Sequence, residues 1–171
     1  AGQVKLLIRT TENADEGSHI QTDPVKADTE AIIASKNLLE AVFNTSTLGL
    51  HVLRSIRNEA GVIIDFHIAL TNKTSEKIAG RTVSGLRMLE GWPHTREIGL
   101  FDKFVDTVET GKSVTYEHLY EGDGVRAWFQ WMASKFNDGL YVTIEDITLR
   151  KNNEEAVKHT ADRLQSTFDG V

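Results

Sequence analysis

Six histidines, at positions 19, 51, 67, 94, 118 and 159, are the side chains best suited to bind a metal or carry a proton. No two are three or four residues apart, so no helix presents a ligating pair. His67 and His118 fall on strand-like segments and could meet only through the fold; a lone strand histidine reads as a surface or hydrogen-bonded residue. Asp102 and Asp106 share helical spacing, which reads as a solvated helix face rather than an acid–base pair. Gly80 and Gly85 frame a G-x-x-x-x-G, but Leu86-Arg87 stands where a phosphate loop needs Lys and Ser or Thr. No G-x-G-x-x-G is present, and no serine lies in a G-x-S-x-G elbow. The chain has no cysteine, which excludes a thiol nucleophile, a disulfide framework and a cysteine zinc site. These patterns do not describe an enzyme.

Composition narrows the remaining classes. The 171 residues are 40% hydrophobic and 26% charged, enough apolar material for one domain with flanking segments. A net charge of −6 argues against a nucleic-acid partner, whose phosphates call for a basic patch. No apolar run approaches the roughly 20 residues of a membrane span, and Val4–Ile8 is too short for a signal peptide. A cytoplasmic domain is the expectation, with membrane tethering of a parent chain left open.

The elements that would position any site follow from periodicity. Residues 1–23 read as a short strand, Val4–Ile8, and a polar linker. Asp23-Pro24 is a helix start, and Val25, Ile32, Leu39 and Val42 then recur at near-heptad spacing, which predicts an N-terminal helix over 24–47. A hairpin follows: residues 48–53 alternate, Asn58–Gly61 is a turn, and Ile64, Phe66, Ile68 and Leu70 lie on one face of the second strand. Asn72 is an N-cap for a short helix that Gly80 stops. Two further helices are predicted, Val83–Leu89 and Glu97–Thr110. Three strands come next, Val114–Glu121, Val125–Phe136 and Leu140–Ile147, joined by Gly- and Asp-containing turns. In the tail, Val157, Ala161, Leu164 and Phe168 form a second heptad seam. Strands at both ends with helices between them predict an α+β fold on an antiparallel sheet.

This order and its punctuation resemble a PAS domain, the sensory box of bacterial multidomain signalling proteins such as sensor histidine kinases. The resemblance covers roughly residues 36–151. It is carried by Asn72 after the second strand, Gly80, Gly99-Leu100-Phe101, Glu109-Thr110-Gly111, Trp128-Phe129 and Asp138–Thr143. Asp146-Ile147-Thr148-Leu149-Arg150-Lys151, similar to the family's D-I-T-x-R-K ending, is its strongest single part. The resemblance implies a five-stranded antiparallel sheet with central helices enclosing a pocket on one face. It also implies a core over 48–148, a signalling helix over 149–171, and a place in a longer chain between sensor and output domains.

The implied function is sensing: an unknown small molecule or partner shifts the core, and the junction relays the change to an output domain, with a histidine kinase as the first expectation. A ligand-free dimerisation scaffold and the sensor of a cyclic-dinucleotide enzyme are the alternatives. Pocket candidates are Phe66, Ile68, Trp92, Phe104, Trp128, Met132 and Val142, with ordinary core packing as the competing reading for the aromatic ones. Trp128 and Trp131 must lie on opposite faces of their strand. Asp146, Thr148 and Arg150 are the relay candidates, through an Asp146–Arg150 ion pair and a Thr148 helix cap. Ile32, Leu39, Val157, Ala161 and Leu164 form the seam of an expected parallel homodimer. No cofactor is assigned. His94 precedes the last central helix and adjoins Pro93, a poor match to a haem ligand, and a flavin–thiol adduct is excluded without Cys; flavin held non-covalently stays open. His159 lacks the acidic neighbour and the proline of a kinase phosphoacceptor helix. No metal site is expected.

Overall fold

The computed structural model describes residues 24–169. The leading strand expected at Val4–Ile8, the linker and the Asp23 cap lie outside the described residues. The chain divides into two units at Asn37/Leu38. The described part of the first belongs to helix α1 (Pro24–Thr45), whose Ile32 and Ile33 are exposed. The second unit carries the end of α1 and every other element.

That second unit is built on five antiparallel strands: β1 (Gly49–Arg57), β2 (Ile63–Thr71), β3 (Val114–Gly122), β4 (Val125–Lys135) and β5 (Gly139–Asp146), in the spatial order β2-β1-β5-β4-β3. The α+β architecture read from the sequence is the one observed. The β1–β2 turn forms because Asn58 accepts hydrogen bonds from the Ala60 and Val62 amides through its side-chain oxygen. Gly139 opens β5 where β1 passes closest. A Cβ there would lie 2.0 Å from the Leu53 carbonyl oxygen, so only glycine lets the two strands pair.

Four helices, α2 (Lys73–Ala79), α3 (Met88–Gly91), α4 (His94–Glu97) and α5 (Leu100–Thr110), join β2 to β3. Helix α5 buries Leu100, Phe101, Phe104, Thr107 and Val108, one stripe at helical spacing. Phe66 meets Phe101 and Phe104 edge to face, at 5.7 and 6.3 Å between ring centroids. The remaining helix, α6 (Thr148–Asp169), leaves the sheet directly from β5.

Three sequence expectations change. Residues 83–87 are not helical, because this segment is drawn to the free edge of β2: the Ile68 amide donates to Leu86 O (2.9 Å) and the Gly85 amide to Ile68 O (2.8 Å). The helix predicted over Glu97–Thr110 is broken at Gly99, which adopts a left-handed φ of 73° and separates α4 from α5. In β2, Phe66 and Ile68 are buried while Ile64 and Leu70 are exposed. The pairing with β1 shifts register at both ends of the strand: Ile64 is the unpaired residue of one bulge, and Leu70 follows Ala69, the unpaired residue of the other.

Candidate ligand cavity and helix junction

Between the sheet and α2–α5 lies a cavity of about 70 Å³. Strand alternation decides which residues reach it. Phe129 and Trp131 of β4 point inward, as do Val142 and Ile144 of β5, and Ile68, Trp92, Leu100 and Phe104 close the opposite side. Of the residues singled out from sequence, Ile68, Trp92, Phe104 and Val142 line this space. Phe66 is fully buried in the adjoining core but does not line it. Trp128 and Met132 are displaced from the pocket altogether. They have the opposite parity to Phe129 and Trp131, so they face away from the cavity, and Met132 is 48% exposed. Phe136, beyond β4, is exposed as well.

One corner of this apolar space is polar. His51 and Leu53 share the inward face of β1, and His51 is buried. Its Nε2 lies 2.9 Å from Ser75 Oγ, while its Nδ1 is buried with no hydrogen-bond partner. Burial pushes the His51 pKa down from 6.5 to about 4, so the ring is neutral at pH 7. Ser75 is held there by Asn72. The Asn72 side-chain oxygen accepts from the Ser75 amide (3.0 Å) and the Leu50 amide (2.9 Å), and its Nδ2 donates to Phe43 O and Leu48 O. Asn72 is therefore an N-cap that also sews α2 to the start of β1. Gly49 leaves room for the pair: a Cβ there would meet Ser75 Oγ at 2.9 Å. The sequence reading missed His51 and Ser75. The available signal was parity, since His51 alternates in step with Leu53.

His94 does not line the cavity. Its Nδ1 meets Glu97 at 2.9 Å, and its ring packs edge to face on Tyr120 at 5.1 Å. His67 and His118 lie on β2 and β3, the opposite edges of the sheet, and do not meet. No group of three His, Asp or Glu among the described residues could hold a metal ion.

The other face of β4 holds the base of α6. The Ile147 amide donates to Trp128 O (2.8 Å), and the Trp128 amide donates to Thr148 Oγ1 (3.0 Å). The capping arrangement differs from the one expected: Asp146 Oδ1 accepts from the Thr148 amide (2.9 Å), while the Thr148 hydroxyl is used on β4. The Asp146–Arg150 ion pair is not formed. Asp146 still belongs to β5 and turns its carboxylate to the backbone, and Arg150 reaches β3 instead, pairing with Glu117 at 2.8 Å and with Glu154 at 3.2 Å. Glu117 also binds Lys151 Nζ (2.7 Å) and accepts from Gln130 Nε2 (2.7 Å). The Lys151 hydrogen bond, then those of Arg150 and Gln130, lower the Glu117 pKa to about 2. Lys151 also lies over the Trp128 ring, 5.2 Å from its centroid. Glu117, Gln130 and Lys151 were not singled out from sequence; strand pairing brings Glu117 opposite Gln130, which no local pattern announces.

No protein-family model matches the sequence, and no curated protein matches it. Solved structures do. An RNA-binding light-oxygen-voltage receptor is 16% identical over 80% of this chain and 39% of that one, with a TM-score of 0.52. A domain of a sensory box sensor histidine kinase/response regulator from Geobacter sulfurreducens is 15% identical, with 68% of this chain and 96% of that one covered and a TM-score of 0.46. The PAS domain of nitrogen regulation protein NR(II) from Vibrio parahaemolyticus is 14% identical, with 64% and 98% covered and a TM-score of 0.42. The class defined by the sheet order and the enclosed helical face is α+β. The particular fold is that of a PAS domain. No helix among the described residues is long and apolar enough to cross a membrane.

Proposed function

We propose that the protein is a sensory PAS module that couples the state of its cavity to helix α6. The observation that carries this reading is a single peptide link in β4. Phe129 lines the cavity, and the preceding residue, Trp128, holds the base of α6 through Ile147 and Thr148. Any rotation of β4 that reshapes the cavity moves the anchor of the helix. A ligand shifts such an equilibrium only by its differential affinity for the two arrangements. The sequence resemblance supports an output domain further along the chain, with a histidine kinase as the first choice. The exposed seam residues Ile32 and Leu39 of α1 and Val157, Ala161 and Leu164 of α6 support a homodimer.

Xenon is a suitable probe, since it enters apolar cavities without needing a polar partner. Under xenon pressure, amide resonances at both the cavity wall (Phe129, Trp131) and the junction (Ile147–Lys151) should shift together. Wall shifts without junction shifts would favour a ligand-free scaffold. No wall shift would remove the cavity as a sensing site.

A further inference from the structure

We infer that the cavity takes a small uncharged molecule with an apolar body and one hydrogen-bond acceptor, and that the acceptor is bound by His51 Nδ1–H. This rests on the cavity being the sensing site, as proposed above.

The volume sets the size. An apolar cavity of about 150 Å³ admits benzene. About 70 Å³ therefore suits a molecule of roughly half that bulk, in the range of a three- or four-carbon compound. The lining sets the charge. No Lys, Arg, Asp or Glu lines the space, so an ion would lose its hydration with no counter-charge to replace it.

The hydrogen-bond inventory sets the polarity. Three buried side-chain polar atoms among the described residues lack a partner: His51 Nδ1, Ser55 Oγ and Thr71 Oγ1. Of these residues only His51 lines the cavity. The other polar lining hydroxyl of the helices, on Thr95, already donates to Trp92 O (2.6 Å). A neutral imidazole carries one proton, on either nitrogen. If Nε2 held it and donated to Ser75, the Ser75 proton would have no acceptor, because its hydroxyl makes no other hydrogen bond. The Nδ1 lone pair would be stranded too, leaving two buried groups unpaired. If Ser75 donates to Nε2 instead, the proton sits on Nδ1 and one group is unpaired. Each unpaired buried group is costly, so the second arrangement is the stable one. It leaves an N–H donor without a partner on a side chain that lines the cavity, and the complementary ligand is an acceptor.

Four probes of nearly one size separate the possibilities: xenon, isobutene, acetone and acetate. Long-range ¹H–¹⁵N spectra of the wild-type imidazole should show His51 as the Nδ1–H tautomer, with Nδ1 shifting on addition of acetone and not of acetate. In a His51→Leu variant, acetone affinity relative to isobutene should fall about two- to tenfold, the range expected for one net hydrogen bond. An Nε2–H tautomer, equal binding of acetate, or an unchanged acetone-to-isobutene ratio each overturns the ligand class while xenon and isobutene still occupy the cavity. If the leucine variant does not fold, the tautomer and the acetate comparison decide on the wild-type protein alone. Exclusion of all four probes overturns the sensing-site reading as well. Acetone shifting His51 without moving the junction would leave the ligand class standing and remove the coupling to α6.

Discussion

The sheet and the helices packed on it carry two polar constellations of similar size that are held in opposite ways. On the inner face, Asn72, Ser75 and His51 are buried, and Asn72 meets all four of its hydrogen-bonding capacities with protein groups. On the outer side, Glu117, Arg150 and Lys151 gather five charged or polar contacts while staying in reach of water. A buried network of this kind is costly to disturb, because each broken bond leaves a desolvated group behind. An exposed ion-pair cluster gains and loses little, because water replaces what is lost. The contrast teaches a division of labour. The inner constellation fixes where α2 and β1 stand, and so the shape of the cavity; the outer one sets how α6 leaves the sheet and can be rearranged cheaply. A relay needs both properties, a rigid detector and a soft connection.

The sharpest way to break the comparison is at Asn72. Substituting Asn72→Ala strands the Leu50 and Ser75 amides and removes a donor from the Phe43 and Leu48 carbonyls in one step, the Leu48 carbonyl keeping the Ser46 hydroxyl. The expected loss is about 4 kcal/mol, from several groups left unpaired at about 1–3 kcal/mol each with partial relaxation. Urea unfolding should show it as a lower midpoint at unchanged slope. A loss under about 1 kcal/mol would mean that water reaches this corner, and the inner constellation would be no more rigid than the outer.

A smaller effect should come from acid. His51 has a folded pKa of about 4 against 6.5 when unfolded. Between those values the unfolded chain binds a proton that the folded protein does not, so stability rises with pH across this window. The contribution is complete above pH 6.5 and is lost as pH falls towards 4. A shift of this size corresponds to about 3 kcal/mol at about 1.4 kcal/mol per unit. Denaturant titrations from pH 7 to 4.5 should show the decline in the wild type and a flatter profile in His51→Gln. Parallel profiles would place the decline on other groups.

Much of the frame was legible in the sequence, and the two constellations show where legibility ends. Asn72 followed at helical spacing by a glycine stop, and the D-I-T-x-R-K-like ending, are local signals, and local hydrogen bonds make them so. The pairing partners are not local. Glu117 and Arg150 are 33 residues apart and meet only because β3, β4 and the base of α6 are adjacent. The pocket list failed at Trp128 and Met132 for a related reason: alternation separates the faces of β4, but which face the helices cover is settled by topology. In β2 even the alternation misled, since the two register shifts that expose Ile64 and Leu70 carry no signature in residue type. Residues 83–87 read as helix because the edge of β2 that captures them is invisible to any window around them.

The smallest expected effect, and the one that sharpens the comparison most, is at Glu117. Glu117→Gln keeps the shape of the side chain and removes the charge that Arg150 and Lys151 share. Because the cluster is exposed, the global unfolding midpoint should hardly move. The backbone ties from Trp128 to Ile147 and Thr148 remain, so α6 should still begin at the same residue. What should change is the freedom of its first turns: amide exchange over residues 149–156 should accelerate while exchange in β4 and β5 stays slow. Raising salt on the wild-type protein should move it in the same direction, since screening weakens the same pairs. Adding salt to the variant should then have less effect than on the wild type. If the variant unfolds early, the outer cluster contributes to the core and the division of labour fails. If exchange in α6 is unchanged in both experiments, the two backbone hydrogen bonds alone set the exit of the helix, and the relay runs through the β4 peptide without help from charge.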